Sequence, residues 1–190
     1  MNKTLLSAAL IAGFGIVAFA PQAARAAADG TITIKGQVVA QTCKVDTNTF
    51  GTPDLKTVTL PLVLAPALST VGNTAGTTPF NIVLAGCDSS LTSAQTFFSG
   101  GDINAASGNL INPAGATGVE VQLLDNNTAT PTVMLLNLAT PTAQKSGVVT
   151  LVTSGTTKGA TLNYSARYIA TAAVSPGAVS STVQFTMIYL

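Results

Sequence analysis

The sequence predicts an all-β protein with the architecture of a β-sandwich. Several segments alternate apolar and polar residues with a period of two, the pattern of a half-buried strand. Clusters of Gly, Pro, Asn and Ser separate these segments, and many short strands between such turns are typical of a sandwich. The chain shows no amphipathic pattern long enough for a helix of three or more turns, so we expect strands to build the core.

The predicted strands follow one another along the chain. They cover residues 31–35, 37–45, 57–62, 80–84, 119–124, 132–138, 147–152, 160–168 and 183–190. A short helical turn is predicted near residues 66–69. Residues 91–116 carry no assignable motif and are expected to form variable surface loop and strand. Since no internal repeat or linker divides the chain, the strands are expected to form one domain.

The first 26 residues have the pattern of a secretory signal peptide. Lys3 provides a positive start, residues 5–20 are apolar, and a small-x-small cleavage site ends at Ala26. The apolar run, at roughly 16 residues, is short for a membrane span, which needs about 20. We therefore expect cleavage after Ala26, with Ala28 as the second choice, and a soluble, exported mature chain.

The mature chain would carry little charge. Charged residues make up 8% of the sequence, where about 25% is usual. Without Lys3 and Arg25 the chain keeps six basic and seven acidic residues. No basic patch is available to neutralise phosphates, which argues against nucleic-acid binding. A surface of Thr, Ser, Asn and Gly suits an extracellular polymer whose subunits contact one another.

The two cysteines, Cys43 and Cys87, lie in a chain that is expected to be exported. An even number of cysteines in an oxidising compartment predicts a disulfide. The bridge would close a loop of about 45 residues and stabilise the fold by roughly 4 kcal/mol in the chain-entropy model. Two buried free thiols are the alternative.

Both ends of the mature chain alternate in a way that permits pairing with another molecule. Near the N-terminus, every second position is small or apolar: Ala28, Gly30, Ile32, Ile34 and Gly36. These residues form either the first strand of the domain's own sheet or a free strand that inserts into another molecule. Near the C-terminus, one strand face is apolar: Val183, Phe185, Met187 and Tyr189. If that strand lies at a sheet edge, it is a template for pairing with another chain.

The residues that enzymes commonly use are missing or isolated. The chain has no histidine, so it offers neither a histidine base nor a histidine metal ligand. Asp102 and Glu120 are isolated acids, and no serine has a Gly-x-Ser-x-Gly context. We expect no enzyme activity and no cofactor. A secreted carbohydrate-binding β-sandwich is an alternative function, disfavoured because the chain has no Trp and only three Tyr residues.

Six features occur in a fixed order along the mature chain. They are residues 30–36, the strand leading to Cys43, residues 80–87 ending in Cys87, residues 121–125, residues 162–168, and Gly177 paired with the penultimate Tyr189. In this order they resemble the structural subunits of chaperone–usher fimbriae, especially type 1 major pilins. The last pair matches the family's terminal pairing motif, a Gly 14th from the C-terminus followed by a penultimate aromatic residue.

The resemblance implies an incomplete immunoglobulin-like β-sandwich that lacks its last strand. Residues 27–36 would be an N-terminal donor-strand extension and residues 37–190 the pilin domain. The donor strand, with Ala28, Gly30, Ile32, Ile34 and Gly36 facing inward, would fill an apolar groove in the next copy or a related pilin. The edge of that groove, which a chaperone would also contact, would be formed by Gly177, Val183, Phe185, Met187, Tyr189 and Leu190.

The resemblance also implies a route of assembly. A periplasmic chaperone would fill the groove first, and strand exchange at an outer-membrane usher would add the subunit to a cell-surface fimbria that supports adhesion. The family's donor strand usually carries a bulky residue at its far end, where this chain has Ala28. A minor adaptor or anchor subunit of the pilus is a second alternative.

Overall fold

The computed structural model describes residues 43–46 and 56–190. These residues belong to one compact unit, Val38–Leu190. The predicted signal peptide (1–26) and donor strand (27–36) lie outside the described residues, so these two assignments stay predictions. The same holds for all five predicted donor-strand positions: Ala28, Gly30, Ile32, Ile34 and Gly36.

Ten strands and one 3₁₀ helix make up the described part of the chain. They are β1 Lys44–Val45, the helix Ala65–Leu68, β2 Thr74–Cys87, β3 Ser93–Ser99, β4 Leu110–Ile111, β5 Val119–Asp125, β6 Thr132–Val133, β7 Val149–Thr150, β8 Val152–Ser154, β9 Thr157–Ala170 and β10 Gln184–Tyr189. The all-β prediction is confirmed. The predicted helical turn is also present, and Pro66 lies in its first turn, where a missing N–H breaks no helical hydrogen bond.

Seven strands form the first sheet, in the order β1-β2-β9-β5-β4, with β6 beside β5 and β8 beside β9. The longest ladder joins β2 to β9, each of 14 residues. Its register shifts between Ala75 and Thr78. Gly76 lies at this bulge with a φ of 66°, and a Cβ there would lie 3.0 Å from the ring of Tyr168. Glycine is required because the backbone is left-handed and the ring leaves no room.

The second sheet has three strands in the order β10-β3-β7. The middle strand, β3, pairs with the whole of β10 along one edge. On its other edge β3 pairs with β7 at Ser93 and Ala94. All of these pairings are antiparallel.

The hydrophobic core lies between the two sheets. Its fully buried members include Ile82 and Leu84 of β2, Leu123 of β5, Leu162 and Tyr164 of β9, and Ala94 and Phe98 of β3. On β2 and on β9 these residues are two positions apart, which is the spacing of side chains on one face of a strand. Burial of one large apolar side chain contributes about 1.5–3 kcal/mol, so this face dominates the stability of the fold.

Residues 91–116 and 57–62 are among the segments that differ from the sequence-based expectation. Residues 91–116, which gave no motif, contain β3, the central strand of the second sheet. Residues 57–62 alternate as predicted, with Val58 and Leu60 packed against the core. They form no strand with other described residues. Alternation fixes which side chains face inward, but it does not supply a hydrogen-bonding neighbour.

Candidate strand-binding edge

The outer edge of β10 is the feature from which the site is built. Within residues 43–46 and 56–190, β10 pairs with β3 alone. Just beyond the last paired residue, Leu190 donates its N–H to the Ser93 carbonyl at 2.9 Å, and its own carbonyl oxygen accepts the Ser93 N–H at 3.1 Å. These reciprocal bonds identify which backbone groups of β10 turn towards β3.

Hydrogen-bonded and non-hydrogen-bonded pairs alternate along an antiparallel ladder. Counting back from Leu190, the pairs that contain Tyr189, Met187 and Phe185 do not exchange bonds with β3. Their N–H and C=O groups therefore point towards the outer edge of β10. A further strand that approached this edge would find donors and acceptors at three alternate residues, which is the pattern that strand addition uses.

The side chains alternate in burial from Val183 to Met187, after which Ile188 is partly buried as well. Val183, just before the strand, and Phe185, Met187 and Tyr189 within it are partly buried and packed against the core. Gln184 and Thr186, which lie between them, are exposed. The apolar face predicted from the sequence therefore points at the core and is only partly covered. Leu190, which ends the chain, is 54% exposed.

Aromatic rings connect β10 to the opposite sheet. The ring centroids of Phe185 and of Phe98 on β3 are 6.5 Å apart. Phe98 packs edge-to-face against Tyr164 of β9, with ring centroids 5.5 Å apart. Tyr164 in turn lies 5.6 Å from Phe80 of β2, which is partly buried. These distances lie in the range of favourable aromatic pairs. The series of four rings crosses the sandwich beneath the candidate edge.

A short polar chain runs beside these rings. The Tyr164 hydroxyl donates to Thr96 Oγ1 at 2.9 Å, and Thr96 Oγ1 lies 3.5 Å from the Met187 sulfur. Burial raises the pKa of Tyr164 above its usual value, although the hydrogen bond with Thr96 lowers it in part. Burial likewise raises the pKa of Tyr189, although a hydrogen bond with the Cys43 backbone lowers it in part. Both phenols are therefore neutral at physiological pH.

Both ends of β10 are tied to neighbouring loops. At the start, Asp102 Oδ2 accepts the Thr182 N–H at 2.6 Å and the Thr182 hydroxyl at 3.0 Å, and the Asp102 N–H returns a bond to the Thr182 carbonyl at 2.8 Å. At the end, Thr92 donates its N–H and its hydroxyl to the Leu190 carbonyl oxygen, at 2.7 and 2.9 Å. β10 is thus fixed at both ends, while no other strand of the described residues pairs with its outer edge.

Gly177 does not lie on β10. A Cβ at Gly177 would overlap the backbone of Gly115 and Ala116, and the Ala116 N–H bonds the Ala178 carbonyl at 2.9 Å. The structure therefore explains this glycine by a close approach of two backbone segments. A direct role of Gly177 in the groove or in chaperone contact stays a prediction.

The predicted disulfide is present. Cys43 and Cys87 are bonded, with Cα atoms 4.0 Å apart, and both residues are buried. The bond joins the residue before β1 to the last residue of β2. It therefore fixes the start of the described chain to the first sheet, and the alternative of two free thiols is wrong.

The isolated acids have structural partners. Glu120 accepts hydrogen bonds from Asn104, Ser107 and Asn109 at 2.5, 2.8 and 3.0 Å. These bonds hold a loop against a buried polar position of β5. Within the described residues no group of three or more His, Cys, Asp or Glu side chains could hold a metal ion. The four-residue 3₁₀ helix, the one helix in this part of the chain, is too short to cross a membrane.

The comparison with known proteins identifies the family. The family model for FimA, the type-1 fimbrial protein A, matches residues 60–190. The chain belongs to this family. The matched residues contain β2 to β10 and so include the second sheet, the first sheet except β1, and the candidate edge. The fimbrial family predicted from the six ordered features is thereby confirmed.

Relatives agree over nearly the full length of this fimbrial subunit. It is 41% identical over 180 residues to the major fimbrial subunit SMF-1 of Stenotrophomonas maltophilia, covering 92% of this chain and 99% of that protein. It is 36% identical over 166 residues to the type-1 fimbrial protein A chain of Escherichia coli, covering 84% and 83%. The crystal structure of the P pilus rod subunit PapA superposes with a TM-score of 0.56 at 19% identity, covering 78% and 99%. That likeness supports the fold alone.

This fimbrial subunit is therefore a structural component of an extracellular fimbria that is built by self-association, and its relatives are structural subunits. The sequence located the apolar face of β10 but missed Thr96 and Phe98, the residues of β3 that contact it. Polar residues buried in β3, such as Gln95 and Thr96, hide its alternation. The β-forming residues Thr96, Phe97 and Phe98 were the available signal.

Proposed function

We propose that the subunit polymerises by donor-strand exchange, with the outer edge of β10 accepting residues 27–36 of another copy or a related pilin. The observation that carries the proposal is that one strand combines half-buried side chains with backbone groups to which no other strand of the described residues bonds. Phe185, Met187 and Tyr189 contribute both. An added strand would bond those backbone groups and cover those side chains in a single step.

The donor segment has the complementary pattern in its sequence. Ile32 and Ile34 lie two positions apart, so both side chains of an inserted strand would face the core. Each would contribute about 1.5–3 kcal/mol on full burial. Gly30 and Gly36 flank them and present no bulk. The contact is heterologous, so repeated addition generates an open filament and not a closed ring.

Before polymerisation the same edge requires a temporary partner. A half-buried apolar strand with unused backbone groups is prone to pair with any exposed strand. A periplasmic chaperone that lends a strand to β10 meets this requirement, and an outer-membrane usher is the site of exchange. The subunit then passes through the periplasm to the cell-surface fimbria. It has a structural role without catalysis.

The test changes the two faces of the donor strand in parallel. In the full chain, Ile32→Asp with Ile34→Asp places two carboxylates in the apolar groove, which costs several kcal/mol. Thr31→Asp with Thr33→Asp adds the same charge to the face predicted to be polar. We expect the first double variant to be captured by the chaperone, because its own β10 is intact, and to form no fibres. The second should form fibres that electron microscopy detects.

The two double variants add the same charge to opposite faces of the donor strand. Their comparison therefore distinguishes an effect of the inward face from an effect of added charge. Fibres from the Ile32/Ile34 variant would contradict the assignment of the donor strand. Loss of fibres from both variants would show that added charge, and not the inward face, blocks assembly. In either case the chaperone-bound fraction shows whether the domain itself has folded.

A further inference from the structure

The edge of β3 opposite β10 is closed by a side chain where β7 has ended. β7 pairs with β3 through Val149 and Thr150 alone. Continuing that register along β3 would place residue 145 opposite Phe98. The chain instead turns at Lys145, whose φ is 62°. The strand therefore cannot continue, because a left-handed residue interrupts an extended ladder.

The Gln144 carboxamide takes the vacated position. Its Oε1 accepts the Phe98 N–H at 3.0 Å, and its Nε2 donates to the Phe98 carbonyl at 2.7 Å. These are the two bonds that a residue of a neighbouring antiparallel strand would make. Gln144 is fully buried. A neutral group with one acceptor and two donor hydrogens can satisfy both backbone groups of Phe98 without burying charge.

The same carboxamide holds the covering loop in place. Nε2 also lies 3.0 Å from the Leu136 carbonyl and 2.9 Å from the Leu138 carbonyl. The loop after β6 and the edge of β3 are thus joined through one side chain. Its removal would leave the Phe98 N–H and C=O without these bonds and take away two of the contacts that hold the loop, which also bonds Gly108 and Ala105.

We propose that Gln144 determines the specificity of strand addition by closing the part of the β3 edge at Phe98 that β7 leaves unpaired, so that an incoming strand adds to β10 and not there. The inference rests on the proposed function, because it takes β10 as the accepting edge. A sheet that offered two edges would bind a second strand from another copy, and fibres would branch or associate laterally. With one edge closed, each subunit accepts one strand and the filament stays linear.

The experiment compares two buried glutamines in fibres assembled from the full chain. Gln144→Met has nearly the same volume and cannot make the two ladder bonds. Gln122→Met is the control, since Gln122 is also buried but bonds Asn109 and Arg167 side chains. We expect Gln144→Met fibres to branch or bundle in electron micrographs and their Phe98 amide to exchange hydrogen about tenfold faster. Gln122→Met fibres should stay single and retain the native rate.

Single, unbranched fibres from the Gln144→Met chain, whatever the rate at Phe98, would overturn the proposal. If that chain forms no fibres, hydrogen exchange in native fibres decides. Slow exchange at Phe98, matching that of the paired Ala94, supports the closed edge, and fast exchange at Phe98 refutes it. Fibres of any shape from Gln144→Met are compatible with donor-strand exchange at β10. Failure of the Gln144 proposal is therefore distinguishable from failure of the donor-strand proposal.

Discussion

Replacing Phe185 by Ala tests whether one face of β10 serves both the core and an incoming strand. Truncation of a fully buried Phe costs about 3–5 kcal/mol. Phe185 is partly buried, and its ring centroid lies 6.5 Å from that of Phe98. The Phe185→Ala variant should therefore lose about 2 kcal/mol of unfolding free energy in the free domain. The rest of the ring becomes covered only when a strand binds. A further loss of about 1 kcal/mol then corresponds to roughly fivefold weaker binding.

Urea unfolding, with and without a saturating peptide that copies residues 27–38, measures both quantities. Tyrosine fluorescence is a suitable probe because the chain has no Trp. Thr186→Ala is the control, since Thr186 is exposed on the same strand and its loss should cost less than about 0.5 kcal/mol. Equal destabilisation by the two variants would refute the burial argument. Unchanged peptide affinity in Phe185→Ala would refute the second role of the ring.

Three further predictions concern the framework around this edge. Replacing Cys43 and Cys87 by Ser should lower the free energy of unfolding by about 4 kcal/mol, measured by urea denaturation. Burial raises the pKa of Tyr164, so its contribution is complete below the unfolded-state pKa of about 10 and is lost as the pH rises towards the folded-state pKa. Stability should therefore fall above about pH 10, and less steeply in Tyr164→Phe. Asp102→Ala should destabilise the start of β10 by about 1–2 kcal/mol, seen as faster hydrogen exchange at Thr182.

Each of these predictions has its own control. Reduction of the native protein should reproduce the double Ser variant, and equal stability with and without reductant would contradict the first. An identical alkaline slope in native protein and Tyr164→Phe would assign the pH dependence to other groups. For the third, Asp88→Ala removes an exposed acid whose hydrogen bonds are local to Ser90. Asp88→Ala should leave hydrogen exchange at Thr182 unchanged. Equal effects of the two variants would contradict the role of the Asp102–Thr182 hydrogen bonds.

The sequence predicted elements whose two faces differ in polarity. The final strand, residues 80–84 of β2 and residues 160–168 of β9 were located because apolar residues recur at every second position. The first half of β2, from Thr74, was not located. The pattern was misleading at residues 132–138, where β6 ends at Val133. Met134 and Leu136 beyond it are buried without continuing the strand, since a loop can bury alternate side chains as well as a strand does.

β3 was missed for a physical reason. Ala94, Gln95 and Thr96 are all buried, so no exposed face alternates with a buried one. The role of Gln144 was also inaccessible to pattern analysis. A glutamine that replaces a strand is recognisable only after the register of β3 and the turn at Lys145 are known. Contacts distant in sequence, here 46 residues apart, decide its function.

Folding and assembly of this subunit draw on the same contacts. The inward face of β10 already contributes to the core. That face is only partly covered, and among the described residues the strand pairs with β3 alone. A strand that binds there stabilises the folded state in proportion to RT ln(1 + [L]/Kd). Under the proposed donor-strand exchange, the donor belongs to the neighbouring subunit of the filament, which raises its effective concentration to about millimolar or above. The low charge of the chain adds little repulsion against such packing. Stability of the subunit and persistence of the fibre should therefore rise and fall together when β10 is altered.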